Sequence, residues 1–215
     1  MSSLKKLAGQ TAIYGFSNII GRFLNYLLVP YYTYLFNPTE NAPIQIIYAW
    51  IPFLNVIYTY GMETSFFRFA QQPEKQEQVI STSSLSLLIS SFLFTFIILS
   101  FYKTLASFMF VGQHPEYVIY CALILLFDTL VLIPFSQLRL QNKPMKYGVF
   151  KLLNIFITIG LNIFFLSVCP FLLKHNQHWV SYIYNPAIGI GYVFISNMIA
   201  SCITCLLLLP QWKQV

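Results

Sequence analysis

The chain has 215 residues, of which 57% are hydrophobic and only 8% carry a charged side chain. Because soluble domains average about 25% charged residues, this composition excludes an ordinary soluble globular domain and predicts an all-α integral membrane protein in contact with the lipid bilayer. The formal net charge of +6 does not indicate a nucleic-acid partner, since the basic residues are distributed as membrane-orientation signals.

The first predicted membrane span, near residues 11–35, carries Arg22 close to its middle. A charge at the centre of a bilayer costs at least about 2.5–3.5 kcal/mol, and such residues usually face a water-filled cavity or a partner within a helix bundle. Intervals of three or four residues place the polar side chains of this span on one helical face. These side chains are Thr11, Tyr14, Asn18, Arg22 and Asn25. The span therefore predicts a helix bundle with a polar interior.

Five further segments are long enough to cross a bilayer, which takes about 20 helical residues at about 1.5 Å each. They lie near residues 45–67, 81–102, 116–138, 147–170 and 186–209. Short polar turns separate most of them. The sequence therefore predicts residues 1–215 to form one bundle of six transmembrane helices.

Lys and Arg residues predict the orientation of this bundle. Nine of the 12 lie in the N-terminal segment or follow the second, fourth and sixth spans, whereas the opposite side holds only Lys103 and Lys174. By the positive-inside rule this asymmetry places both termini in the cytoplasm. It also accounts for the positive net charge, so no nucleic-acid partner is predicted.

Two acidic residues lie inside predicted spans. Asp128 in the fourth span is predicted at nearly the same depth as Arg22, so the two could form a structural ion pair, line a cavity together, or both. Glu63 in the second span lies roughly 10 Å nearer the cytoplasm, from the rise of about 1.5 Å per residue. Glu63 is predicted to line the same cavity. The alternative is that Glu63 is a boundary residue whose side chain reaches the membrane interface.

Polar stripes on four spans predict a shared cavity. A single Asn or Thr on a membrane helix can equally well hydrogen-bond a neighbouring helix, but stripes on the first, second, fifth and sixth spans together favour a hydrated interior. The third span differs, because its serine stripe is suited to close helix packing. The predicted cavity residues are Asn18, Arg22, Asn25, Asn55, Glu63, Asp128, Asn154, Thr158, Asn162 and Asn197.

Catalysis has little support in the sequence. A phosphate-binding G-x-x-x-x-G-K-[ST] motif is absent from it, so no nucleotide site is predicted. The C-x-x-C of Cys202 and Cys205 lies in an apolar stretch, and the H-x-x-H of His175 and His178 has no acidic partner nearby in the sequence. Neither is typical of a metal site. The chain is therefore predicted not to be an enzyme and to use no cofactor or metal.

Two segments near the N-terminus resemble a known family. The first comprises residues 7–16 (LAGQTAIYGF), 21–24 (GRFL) and 36–40 (FNPTE), and the second is residues 60–69 (YGMETSFFRF). They resemble the first helix, the following turn and the end of the second helix of bacterial polysaccharide flippases. These flippases belong to the multidrug/oligosaccharidyl-lipid/polysaccharide exporter superfamily. The specific resemblance covers the first 70 residues, and the remainder agrees in hydropathy and loop charge.

This resemblance implies a transporter that flips lipid-linked oligosaccharide across the bacterial inner membrane for polysaccharide or lipopolysaccharide biosynthesis. Family members have two six-helix lobes around a central cavity and use alternating access, so the chain is expected to be the amino-terminal lobe and to need a second six-helix lobe or chain. Arg22 matches the first-helix arginine of the family, which implies a contact with lipid diphosphate. One departure from the family pattern lies at residues 40–45 (ENAPIQ), where Glu-Tyr-Gly would be expected after Pro-Thr. This segment contains a proline, Pro43, near the start of the second span.

Two alternatives stay open at the level of sequence. The first is a multidrug or cation-coupled exporter of the same architecture, in which Glu63 and Asp128 would titrate. The second is a non-transporting membrane subunit or an inactive truncated remnant.

Overall fold

The computed structural model describes residues 2–175 and 178–212, except for the side chains of residues 2–11, 13, 18, 22, 73, 178, 179 and 212. Within these ranges the regular structure is helical and contains no β-strand. The α-helices are α1 Ser2–Leu35, α2 Pro38–Thr59, α3 Met62–Phe69, α4 Gln76–Ser100, α5 Tyr102–Phe108, α6 Glu116–Leu130, α7 Leu132–Leu140, α8 Pro144–Ile163, α9 Cys169–Lys174 and α10 Gly191–Trp212. A π-helical turn, Phe164–Val168, joins α8 to α9.

Five helical stretches of the described chain are long and apolar enough to cross a membrane, as expected of a multi-pass membrane protein. They are Pro38–Thr59, Gln76–Ser100, Glu116–Leu140, Pro144–Lys174 and Gly191–Gln211. They overlap the second to sixth predicted spans, although Pro38–Thr59 ends well before residue 67, where the second predicted span ends. The first predicted span lies within the 34-residue helix α1, which is not among these five. The membrane protein is thus all-helical, and its count of six membrane-crossing helices stays a prediction.

The second predicted span is not one continuous helix. It is interrupted between α2 and α3, where Tyr60 and Gly61 have φ angles of +35° and +72°. Glycine adopts such left-handed geometry readily, whereas another residue pays about 1–2 kcal/mol. The Tyr60 hydroxyl is held by the Ser86 hydroxyl of α4, 2.8 Å away, and this contact helps to offset the strain.

Two other predicted spans are irregular near a proline. Pro134 is the third residue of α7, just after the junction of α6 and α7, and Pro170 follows the π-helical turn between α8 and α9. Proline lacks the backbone N–H that would bond to the carbonyl four residues earlier. The regular α-helical hydrogen bonding is therefore interrupted at these points, and a new helix begins within the same bundle.

Helix α6 lies at the centre of the described bundle. It packs against α2, α4 and α10, while α10 also packs against α8, and α8 against α1. The contact of α6 with α10 includes Tyr117 and Phe194, whose ring centroids are 5.0 Å apart and which are both buried. This arrangement leaves the inner faces of α1, α2, α8 and α10 directed toward a common space.

Candidate substrate cavity

A cavity of about 600 Å³ lies between α1, α2, α3, α6, α7, α8 and α10. Its size falls within the range of about 300–1,000 Å³ that is usual for small-molecule sites. Its lining includes six of the ten residues that the sequence predicted for a polar cavity. These six are Asn25, Asn55, Glu63, Asp128, Asn154 and Asn197.

The other four predicted residues either lie outside this lining or have side chains that are not among those described. Thr158 donates its hydroxyl to the Asn154 carbonyl at 3.0 Å and lines a smaller adjoining cavity. The side chains of Asn18 and Arg22 lie outside the described residues. Their predicted roles, and the predicted ion pair of Arg22 with Asp128, therefore stay predictions.

Asn162 differs from its prediction as a cavity residue, because it is fully buried and lines neither cavity. Its Oδ1 accepts a hydrogen bond from the Tyr32 hydroxyl at 2.9 Å, and its Nδ2 donates to the Thr158 carbonyl at 2.8 Å. Asn162 thus joins α8 to α1. The physical reason is that a buried amide must find partners within the protein, and Tyr32 supplies one.

Asp128 lies on the cavity wall and is exposed toward it. Its Oδ1 accepts a hydrogen bond from the Ser201 hydroxyl at 2.7 Å, which joins α6 to α10. A hydrogen bond to a carboxylate is shorter and stronger than one between neutral groups. Ser201 therefore fixes an acidic group where it can meet a ligand or an ion in the cavity.

Glu63 forms an ion pair with Arg139, so α3 is bonded to α7 at one end of the cavity. The two side chains are 38% and 33% exposed, respectively. The Arg139 guanidinium also lies over two aromatic rings, with its Cζ 5.1 Å from the centroid of Phe67 and 5.5 Å from that of Tyr147. Glu63 thus has a specific protein partner, and its position relative to the membrane boundary stays a prediction.

Arg139 and Lys151 line the cavity, although neither is among the residues that the sequence predicted for it. Arg139 is 76 residues away from Glu63, and no local pattern links them. Lys151 did give a signal, because it precedes Asn154 by three residues and so shares its helical face. With Glu63 and Asp128, these two cations give the cavity four described charged groups, two of each sign.

The cavity amides differ in how they are held. Asn154 donates to the Thr204 hydroxyl at 2.9 Å, and Asn197 donates to the Tyr48 hydroxyl at 3.3 Å, so both also join helices. Asn25 and Asn55 are exposed and form no side-chain hydrogen bond among the described residues. Their donors and acceptors are available to a polar ligand.

The site offers hydrogen bonding and charge and shows no metal-ligand cluster. Within residues 2–175 and 178–212, no group of three or more His, Cys, Asp or Glu side chains could hold a metal ion. Cys202 and Cys205 are free thiols. Chemically, the wall can bind a polar or anionic ligand by charge-assisted and amide hydrogen bonds.

Comparison with known proteins adds no assignment to this geometry. No family model matches the chain, and neither a curated protein nor a solved structure matches it. The resemblance of residues 7–16 and 60–69 to polysaccharide flippases therefore stays a prediction.

Proposed function

We propose that the chain is one lobe of a transporter that flips lipid-linked oligosaccharide for cell-surface polysaccharide biosynthesis in the bacterial inner membrane. The observation that supports this most is the polar cavity of about 600 Å³ between helices whose lengths and composition suit a membrane. Polar walls inside an apolar bundle are typical of a substrate pathway.

The charged groups of the cavity fit the diphosphate of such a lipid. Arginine offers planar, bidentate donors to phosphate oxygens, and lysine binds phosphate as a point charge. We assign the contact with phosphate to Arg22 and Lys151, and we assign to Asp128 the task of neutralising these cations between substrates. The amides of Asn25 and Asn154 offer hydrogen bonds to sugar.

A lobe of this kind needs a partner, since alternating access moves one half of a transporter against the other around a fixed site. We propose a second six-helix lobe, in the same protein or in another chain, as the opposite wall of the cavity. The exposed side chains of Asn25, Asn55 and Asp128 would then face an enclosed space.

The test uses a bacterial strain whose surface glycan depends on this protein in its natural context. We expect Arg22→Ala and Lys151→Ala each to lower surface glycan at least about tenfold, because each removes a charge-assisted phosphate contact, which supplies about 1.5–3 kcal/mol. Lys146→Ala is the matched control, since Lys146 is an exposed cation on the same helix as Lys151 and is absent from the cavity lining. Undiminished glycan at normal membrane levels of both cavity variants would refute the proposal.

A cation-coupled multidrug exporter is the second candidate. It is favoured by Asp128, a carboxylate that is open to the cavity and held by Ser201, because proton or Na⁺ coupling needs such a group. Drug resistance that follows expression of the protein and is lost in Asp128→Asn, with normal surface glycan, would select this function.

A further inference from the structure

The cavity adjoins a second, smaller one of about 230 Å³. Asn25, Asn154 and Asn197 line both, so the two spaces are neighbouring compartments of one interior. We call the larger space the charged compartment, because its lining holds Glu63, Asp128, Arg139 and Lys151. We call the smaller space the neutral compartment, because its described lining includes no charged side chain. Its own polar residues are Tyr32, Gln45, Tyr48 and Thr158.

The two compartments lie at different levels of the bundle. The charged compartment reaches Glu63 of α3 and Arg139 of α7. The neutral compartment is instead lined by Tyr32 near the end of α1 and by Gln45 near the start of α2. The two compartments are therefore separated along the helix axes, and the neutral compartment lies nearer the turn that joins α1 to α2.

Some polar side chains of the neutral compartment are already hydrogen-bonded within the protein, whereas others are available to a ligand. The Tyr32 hydroxyl is engaged by Asn162, and the Tyr48 hydroxyl accepts the Asn197 amide. By contrast, Asn25 and Gln45 are exposed and make no side-chain hydrogen bond among the described residues. Each free amide presents one carbonyl acceptor and two N–H donors.

These groups match the chemistry of an uncharged sugar. A sugar hydroxyl donates and accepts, as an amide does, and the apolar Leu28, Val29 and Ile44 in the same lining can contact the C–H edges of a pyranose ring. A charged ligand would find no opposite charge among the described side chains of this lining, and the burial of an unpaired charge is costly. A compartment of about 230 Å³ is also below the range of about 300–1,000 Å³ of pockets for drug-sized ligands, so its size suits a single sugar residue.

We infer that the neutral compartment binds the first, uncharged sugar of a lipid-linked glycan while the charged compartment binds the adjoining diphosphate. This inference rests on the proposed function and assigns an orientation to the bound lipid-linked glycan. The diphosphate lies toward α3 and α7, and the sugar lies toward the turn between α1 and α2.

The experiment compares two probes on the purified protein in lipid nanodiscs, together with its second six-helix lobe where that lobe is a separate chain. One probe is undecaprenyl diphosphate, and the other is the same lipid bearing one N-acetylglucosamine. We expect the wild type to bind the sugar-bearing lipid at least about fivefold more tightly, as measured by native mass spectrometry. Gln45→Leu should reduce this preference to less than about twofold and leave the affinity for undecaprenyl diphosphate unchanged.

The controls separate the sugar site from the phosphate site. Gln113→Leu removes an exposed amide from the loop between α5 and α6 and should retain the full preference. Lys151→Ala should weaken both lipids by a similar factor. Gln45→Ser serves as a second variant if Gln45→Leu does not yield folded protein, and it should also lower the preference.

The outcomes distinguish the two proposals. Equal binding of both lipids by the wild type, or equal weakening of both by the Gln45 variants, would overturn the neutral sugar compartment and leave the flippase proposal standing. Binding of neither lipid would overturn the flippase proposal and the inference that rests on it.

Discussion

Replacement of Glu63 by glutamine tests the ion pair that bonds α3 to α7. The change keeps the size of the side chain and removes its negative charge, so Arg139 loses its carboxylate partner. Breaking a fully buried pair costs about 3–5 kcal/mol, whereas an exposed pair contributes about 0.2–1 kcal/mol. Both side chains here are about one-third exposed. We therefore expect a loss of about 1–2 kcal/mol in the free energy of unfolding, between these limits.

The assay is a double-mutant cycle on thermal unfolding in detergent, with Glu63→Gln, Arg139→Gln and the double variant. For 150–250 residues, about 1 kcal/mol shifts Tm by about 2–4 °C, so Glu63→Gln should lower Tm by about 2–8 °C. Arg139→Gln should lower it further, because the guanidinium also leaves the rings of Phe67 and Tyr147. Once Arg139 is gone, Glu63→Gln should have almost no effect.

The cycle has a clear refuting result. If the effects of the two substitutions add to within about 0.3–0.5 kcal/mol, the residues are energetically independent, and α3 is not held through this pair. Glu74→Gln is the matched control, because Glu74 is exposed near the start of α4 and forms no ion pair or side-chain hydrogen bond among the described residues. It should leave Tm unchanged.

Two further substitutions probe the contacts of α1 with α8. Tyr32→Phe removes the hydroxyl that donates to the buried Asn162 and should cost about 1–3 kcal/mol, measured as a fall in Tm, whereas Tyr34→Phe at an exposed site should cost nothing. Gly21→Ala should change Tm only slightly, because its new Cβ would lie 2.7 Å from the Ile155 Cδ1, a terminal methyl that can shift, while alanine favours a helix interior over glycine by about 1 kcal/mol. In an Ile155→Val background, which lacks that Cδ1 atom, Gly21→Ala should raise Tm, and a fall in Tm there would contradict this explanation.

Hydropathy and polar turns predicted much of the fold, because membrane-crossing helices must be long and apolar. The five candidate membrane helices overlap the second to sixth predicted spans, with the largest difference at the second. Helical spacing likewise predicted that Asn154 and Asn197 would face the same interior, and both line the cavity. The break at Tyr60 and Gly61 was not predicted, since a single glycine is tolerated within a helix and its left-handed geometry depends on tertiary contacts.

Long-range pairing was the part of the site that the sequence could not supply. Glu63 and Arg139 are far apart in the chain, and each has a plausible local explanation at the membrane boundary. Asn162 shares a helical face with Asn154 and Thr158, but only the structure shows that Tyr32 satisfies its amide. A stripe therefore predicts which side of a helix is polar and leaves open whether each member meets a ligand or a neighbouring helix.

The two consecutive left-handed residues at the end of α2 have a mechanical consequence. The last turn of α2 is completed by the Tyr60 amide bonding to Val56, and α3 begins with the Gly61 carbonyl accepting from Thr64. A swivel about the intervening backbone would redirect α3 without rupture of any bond inside either helix. The direction of this short helix is therefore set by its packing against α4 and α7, chiefly through the buried ring of Phe66 and the ion pair of Glu63 with Arg139. A change in the direction of α3 would alter one end of the cavity without unwinding α2.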